Sequence, residues 1–97
     1  MTTGKEESTR GGEYEVLLER RAERDLNRLS RNDFLRIDEA IQGLAKTPRP
    51  SGTVKLADDL YRIRVGPWRV IYLVDDDSRR IAISRVKRRE KDTYRRI

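Results

Sequence analysis

The chain contains no histidine and no cysteine. The first absence removes imidazole triads, histidine metal ligands and imidazole-based ribonuclease chemistry. The second removes disulfide staples and thiolate metal sites, and it fits a reducing compartment. Aromatic side chains are scarce, with one Trp, one Phe and four Tyr. No apolar run approaches the length of a membrane span or of a signal-peptide core. No glycine loop of the G-x-x-x-x-G-K type and no dinucleotide fingerprint is present, so nothing supports nucleotide-driven chemistry. Three consecutive aspartates, Asp75 to Asp77, lack a converging partner cluster and are expected to form a turn rather than a metal site. No cofactor or metal is expected. A soluble, cytoplasmic protein is.

What the chain has is charge. Charged residues make up 41% of its 97 residues, 23 of them Lys or Arg, for a net charge of +6. From Arg79 onward nine cationic residues stand against Glu90 and Asp92, so the excess belongs to the C-terminal end. Such a block suits a nucleic-acid surface or an acidic protein partner, and its attraction is weakened by salt. It also suits a merely solubilising tail.

The length and the 35% hydrophobic content allow one small core. Residues 1–13 carry no large apolar side chain after Met1 and read as a disordered leader, which leaves residues 14–97 as a single domain. Tyr14 to Glu19 suits a first strand. Leu26, Leu29, Phe34, Ile37, Ile41 and Leu44 then recur at helical intervals, and Ser30 followed by Asp33 resembles an N-cap. The stretch from Arg20 to Lys46 is thus a helical hairpin or one bent helix, ended by Thr47-Pro48-Arg49-Pro50-Ser51-Gly52. Beyond it come short strands from Val54, Leu60, Trp68 and Arg80, then a basic tail or short helix from Lys87. The fold class is α+β. An N-terminal strand and a helical hairpin precede a three- to four-stranded antiparallel sheet, with the helices on one face.

The most informative stretch runs from Leu60 to Val74, where large apolar residues alternate with arginines around Gly66-Pro67. A two-residue type II′ turn there pairs Val65 with Trp68, Arg64 with Arg69, Ile63 with Val70 and Tyr61 with Tyr72. One face becomes Tyr, Ile, Val, Trp, Val and Tyr, and the other carries Arg62, Arg64 and Arg69. The first face is core. The second is either a solvated outer sheet surface or a phosphate site. Like charges about 5 Å apart repel by roughly 1 to 3 kcal/mol, and arginine forks match phosphate oxygens. Such groups can cleave RNA, because attack by the 2′-hydroxyl on its own phosphate needs alignment, charge stabilisation and protonation of the leaving 5′-oxygen.

Leu60-Tyr61-Arg62-Ile63-Arg64-Val65-Gly66, Trp68-Arg69-Val70-Ile71-Tyr72, Ile83-Ser84-Arg85-Val86-Lys87-Arg88-Arg89 and the late Tyr94-Arg95 resemble the RelE/ParE superfamily of bacterial toxins. The resemblance spans roughly Tyr14 to Arg96. It implies a toxin of a type II toxin-antitoxin system. The RelE branch comprises ribosome-dependent mRNA endonucleases, and ParE relatives inhibit DNA gyrase on nearly the same scaffold. By resemblance to the RelE branch, the active site comprises Arg62, Arg64, Arg69, Arg88 and Tyr94. Arg64 and Arg69 would clamp the scissile phosphate, Arg88 would supply charge or the leaving-group proton, and Tyr94 would stack on a base. Arg85, Lys87, Arg89, Lys91 and Arg95 are expected to bind nucleic acid, and Lys87 and Arg89 flank Arg88 closely enough to take its role. The implied partners are the ribosome, mRNA and a cognate antitoxin with an acidic or amphipathic wrapping segment. One departure stands out. Arg62 occupies a place where some ribonuclease members have a lysine, and guanidinium is a poor base near pH 7. A gyrase inhibitor, or a toxin fold retained only for binding, therefore remains open.

Overall fold

The computed structural model describes residues 13–89, so Lys91, Tyr94 and Arg95, the tail beyond Arg89 and all but the last residue of the expected leader lie outside the described residues. Strand β1 (Glu15–Leu18) leads into α1 (Arg20–Asn27) and α2 (Arg31–Gly43). Then follow β2 (Val54–Lys55), β3 (Leu60–Val65), β4 (Trp68–Asp75) and β5 (Arg80–Arg88). The helical stretch is a hairpin rather than one bent helix. Ser30 separates the two helices because its hydroxyl accepts from the Asp33 amide at 3.2 Å, which satisfies a donor that the first turn of α2 leaves open.

The sheet has five strands in the order β1-β5-β4-β3-β2. The expectation of three or four antiparallel strands holds for β2 to β5, whereas β1 pairs parallel with β5, Val16 against Ile81 and Leu18 against Ile83. A two-residue alternation tells which side chains share a face but not which neighbour a strand takes, so the mixed sheet was not readable from the pattern.

Both helices cover one face. Ala22 and Leu26 of α1 and Ile37 and Ile41 of α2 pack with Leu44, Ile63, Val70, Tyr72, Val74, Ile81, Ile83 and Val86 in a single core, none of them more than 7% exposed. Tyr72 is fully buried, and its hydroxyl donates to the Pro48 carbonyl at 2.7 Å, which ties the loop after α2 to the middle of the sheet. That loop is tied again at its Arg49, which donates to Asp76 at 3.0 Å, lies 5.3 Å over the Tyr61 ring and shares Asp76 with the Tyr14 hydroxyl. The aspartate run is thus used as a turn, with Asp75 accepting from the Ser78 amide. No helix among the described residues is long and apolar enough to cross a membrane.

Candidate nucleic-acid interface

The uncovered face of the sheet holds the arginines. The β3–β4 register is the one that the Gly66-Pro67 turn predicts: Val65 against Trp68, Arg64 against Arg69, Ile63 against Val70, Arg62 against Ile71 and Tyr61 against Tyr72. Gly66 has φ +61°, and proline follows it, as a type II′ turn demands. Residues directly opposite in an antiparallel pair point to the same side, so Arg62, Arg64 and Arg69 share the open face.

Strand β5 extends this cluster, with a twist that alternation alone does not give. Val74, Leu73 and Tyr72 meet Ile81, Ala82 and Ile83, but Ile71 meets Arg85, leaving Ser84 as an extra residue. This bulge shifts the parity of the strand. Ile81, Ile83 and then Val86 face the core, and Lys87 comes to lie across from Arg69 on the arginine face. Arg88 lies across from Trp68, on the helix-covered side, with its guanidinium 5.4 Å over the indole ring. The structure therefore brings Arg62, Arg64, Arg69 and Lys87 together and turns Arg88 away. The chain continues along the Gly66-Pro67 turn, where the Arg89 amide donates to the Pro67 carbonyl at 2.7 Å.

Arg85 does not join them either. Its Nε and Nη2 donate to the two carboxylate oxygens of Asp25 on α1, at 2.9 and 3.2 Å, so its charge is committed within the fold. Asp25 also accepts from the Val86 amide at 2.8 Å, which satisfies a strand-edge donor beyond the point where β1 stops pairing. Nothing local marks this partnership, because Asp25 and Arg85 are 60 residues apart. Burial raises the Asp25 carboxyl, yet the bonds from Arg85 and Val86 and the charges of Arg85 and Arg28 outweigh it and leave the pKa below its ordinary 3.8.

The electrostatics of the open face are one-sided. Burial lowers the pKa of the Arg62 guanidinium, and the neighbouring Arg64, Arg69 and Arg89 charges lower it further. Its Nε is buried and has no hydrogen-bond partner. Among the described residues, no ion pair engages Arg62, Arg64, Arg69, Lys87 or Arg89. Leaving a buried donor unpaired costs about 1–3 kcal/mol, and crowding like charges adds to that. An anion bearing several acceptor oxygens relieves the crowding of charge. Toward β1 the open face carries Leu17, 43% exposed, and Leu73, 38% exposed, with the Glu15–Arg80 ion pair at its far edge.

Residues 16–93 match the family described as ParE toxin of type II toxin-antitoxin system, parDE. Over 82 residues the chain is 33% identical to a Methanocaldococcus jannaschii protein that carries the toxin name RelE1, an overlap of 79% of this chain and 91% of that protein. The fold is similar to the RelE–RelB complex of Pyrococcus horikoshii OT3, at 28% identity and a TM-score of 0.71, covering 80% of this chain and 97% of that one. The RelBE2 toxin-antitoxin complex of Mycobacterium tuberculosis is also similar, at 26% identity and a TM-score of 0.71 over 79% and 99% of the two chains. The isolated E. coli RelE toxin shares the fold, with a TM-score of 0.72 at 18% identity over 80% and 86%.

Proposed function

This chain belongs to the RelE/ParE superfamily of toxins from type II toxin-antitoxin systems, and on that premise we propose that it is a ribosome-dependent mRNA endonuclease that needs no metal. The observation that carries the reading is the set of cations on the open face, Arg62, Arg64, Arg69 and Lys87, which no carboxylate among the described residues neutralises. In the reaction, the 2′-oxygen attacks the adjacent phosphorus, the bond to the 5′-oxygen breaks, and a cyclic phosphate and a free 5′-hydroxyl result. The 2′-proton leaves to solvent or to ribosomal RNA. Arg64 and Arg69 clamp the phosphate and hold its developing charge. Arg62 stabilises the 2′-oxyanion rather than taking its proton, because guanidinium keeps its own proton at all ordinary pH. Lys87, brought beside Arg69 by the bulge, gives the leaving 5′-oxygen its proton, a task that an ammonium group performs more readily than a guanidinium. Tyr94, outside the described residues, keeps its role as a stacking partner for a base in this reading.

The partner implied by family membership is an antitoxin. The open face offers it apolar Leu17 and Leu73 at one end and the cationic cluster at the other, which suits an amphipathic segment with acidic residues. Purified protein added to translating ribosomes without divalent metal beyond what the ribosome holds is expected to cut message within codons, mapped by primer extension. Intact message, with Arg69→Ala equally inert, sinks the reading. The ParE side of the superfamily, to which the matched family description belongs, leaves one competitor in the gyrase inhibition that the sequence resemblance implies, for which Arg62 in place of a base is no handicap. A supercoiling assay separates the two, because a nuclease of this kind leaves gyrase working.

A further inference from the structure

We infer that a second RNA-binding site lies behind the arginine face, in the groove where the C-terminal end of α1 meets the tip of β5, and that it holds a nucleotide next to the one on the open face. The inference rests on the reading that this chain binds RNA. The groove measures ≈ 320 Å³, and Arg28, Leu29, Trp68, Lys87 and Arg88 line it. Its shelf is the Arg88 guanidinium stacked 5.4 Å from the centre of the Trp68 ring. Such a flat, cationic surface is one on which a base stacks without regard to sequence.

Two observations set the groove apart from ordinary basic surface. The Trp68 Nε1–H is buried and donates to nothing, although indoles in that position normally find an acceptor. Arg28 is exposed, and no ion pair engages it among the described residues, while Asp25, the acid at the back of the groove, is already spent on Arg85 and the Val86 amide. The groove is therefore net cationic, and the Trp68 that lines it carries an unsatisfied buried donor. An acidic peptide would answer the charge but has no use for a planar stack. A nucleotide answers both.

Strand β5 links the two sites. Because successive strand residues point to opposite faces, Lys87 lies with Arg69 and Arg88 with Trp68, so the strand tip forms a ridge with cations on both slopes. A single strand bent over that ridge meets positive charge on each side.

The test uses Trp68, the sole tryptophan of the chain, as its own reporter. A 2′-O-methylated RNA hexanucleotide lacks the nucleophile for self-cleavage, so binding is read without turnover by Trp68 emission and by polarisation of a dye on the RNA. Saturable quenching of Trp68 is expected. Arg28→Ala should weaken binding about 3- to 10-fold and lower the salt slope by about 0.7, the release expected for one phosphate contact on a single strand. Binding by polarisation with silent Trp68 emission, or quenching that Arg28→Ala leaves unaltered, overturns the second site and leaves the arginine face standing. Quenching by a polyglutamate peptide but not by RNA overturns it in favour of an acidic protein. Quenching by RNA in a protein that cuts no message supports this site while removing the nuclease reading.

Discussion

Lys87 stands directly across the β4–β5 ladder from Arg69, and Arg88, one residue on, stands across from Trp68. The two neighbours therefore serve different faces of the sheet. Lys87→Met should slow message cleavage on ribosomes by about 10²-fold or more, the usual loss for a general acid. Lys87→Arg keeps the charge but not the readiness to release a proton. It should recover phosphate binding without recovering the rate. Single-turnover rates and RNA titrations check this.

Arg64 and Arg69 form a like-charged cross-strand pair with no neutralising carboxylate among the described residues. Arg64→Gln should leave thermal stability unchanged or raise it by up to about 1 kcal/mol, the size of the repulsion relieved at a wet surface. RNA affinity should fall in the same variant. Thermal melts and RNA titrations on one preparation read both effects.

Asp25 receives three hydrogen bonds, two from Arg85 and one from the Val86 amide. Asp25→Asn should cost about 1–3 kcal/mol at pH 7, because the amide sets a donor against the guanidinium. The wild-type carboxyl titrates below its ordinary 3.8 in the folded protein. Its contribution is therefore complete above 3.8 and is lost as pH falls through the lower, folded value. The gap between wild type and variant should narrow at pH 3 relative to pH 7 in urea melts.

Gly66 has φ +61°, and a Cβ there would come within 3.2 Å of the Arg36 guanidinium. Gly66→Ala should destabilise by about 1–2 kcal/mol through backbone strain, with a smaller part from displacing Arg36. Gly43 has open space around the same added atom and no positive φ. Gly43→Ala should be neutral or mildly stabilising by comparison, as alanine is the better helix former.

Tyr72→Phe removes the hydroxyl that holds the Pro48 carbonyl from the core. A loss of about 1 kcal/mol is expected. Hydrogen exchange should quicken at Thr53, whose amide bonds back to Pro50 in the same loop.

The parts of this molecule that were readable in its sequence are those with local causes. The β3–β4 register followed from a two-residue turn whose residue types permit one geometry, and the break between α1 and α2 from Ser30. The placement of β1, the commitment of Arg85 to Asp25 and the bulge at Ser84 arise from contacts across the sheet. Alternation carries no record of them. The site followed the same division. Arg62, Arg64 and Arg69 fell on one face as expected, whereas which of Lys87 and Arg88 shares that face depended on the bulge.

The extra residue at Ser84 also bears on how such a surface tolerates change. Removing or adding one residue in β5 exchanges what the strand tip shows to its two sides, an event that insertions and deletions produce at a stroke. A triplet Lys87-Arg88-Arg89 keeps a cation on either side whichever way the frame falls. Redundancy in the basic run thus protects the charge of the surface against slippage. The chemical identity of the cation has no such protection, since only one of the three is a lysine.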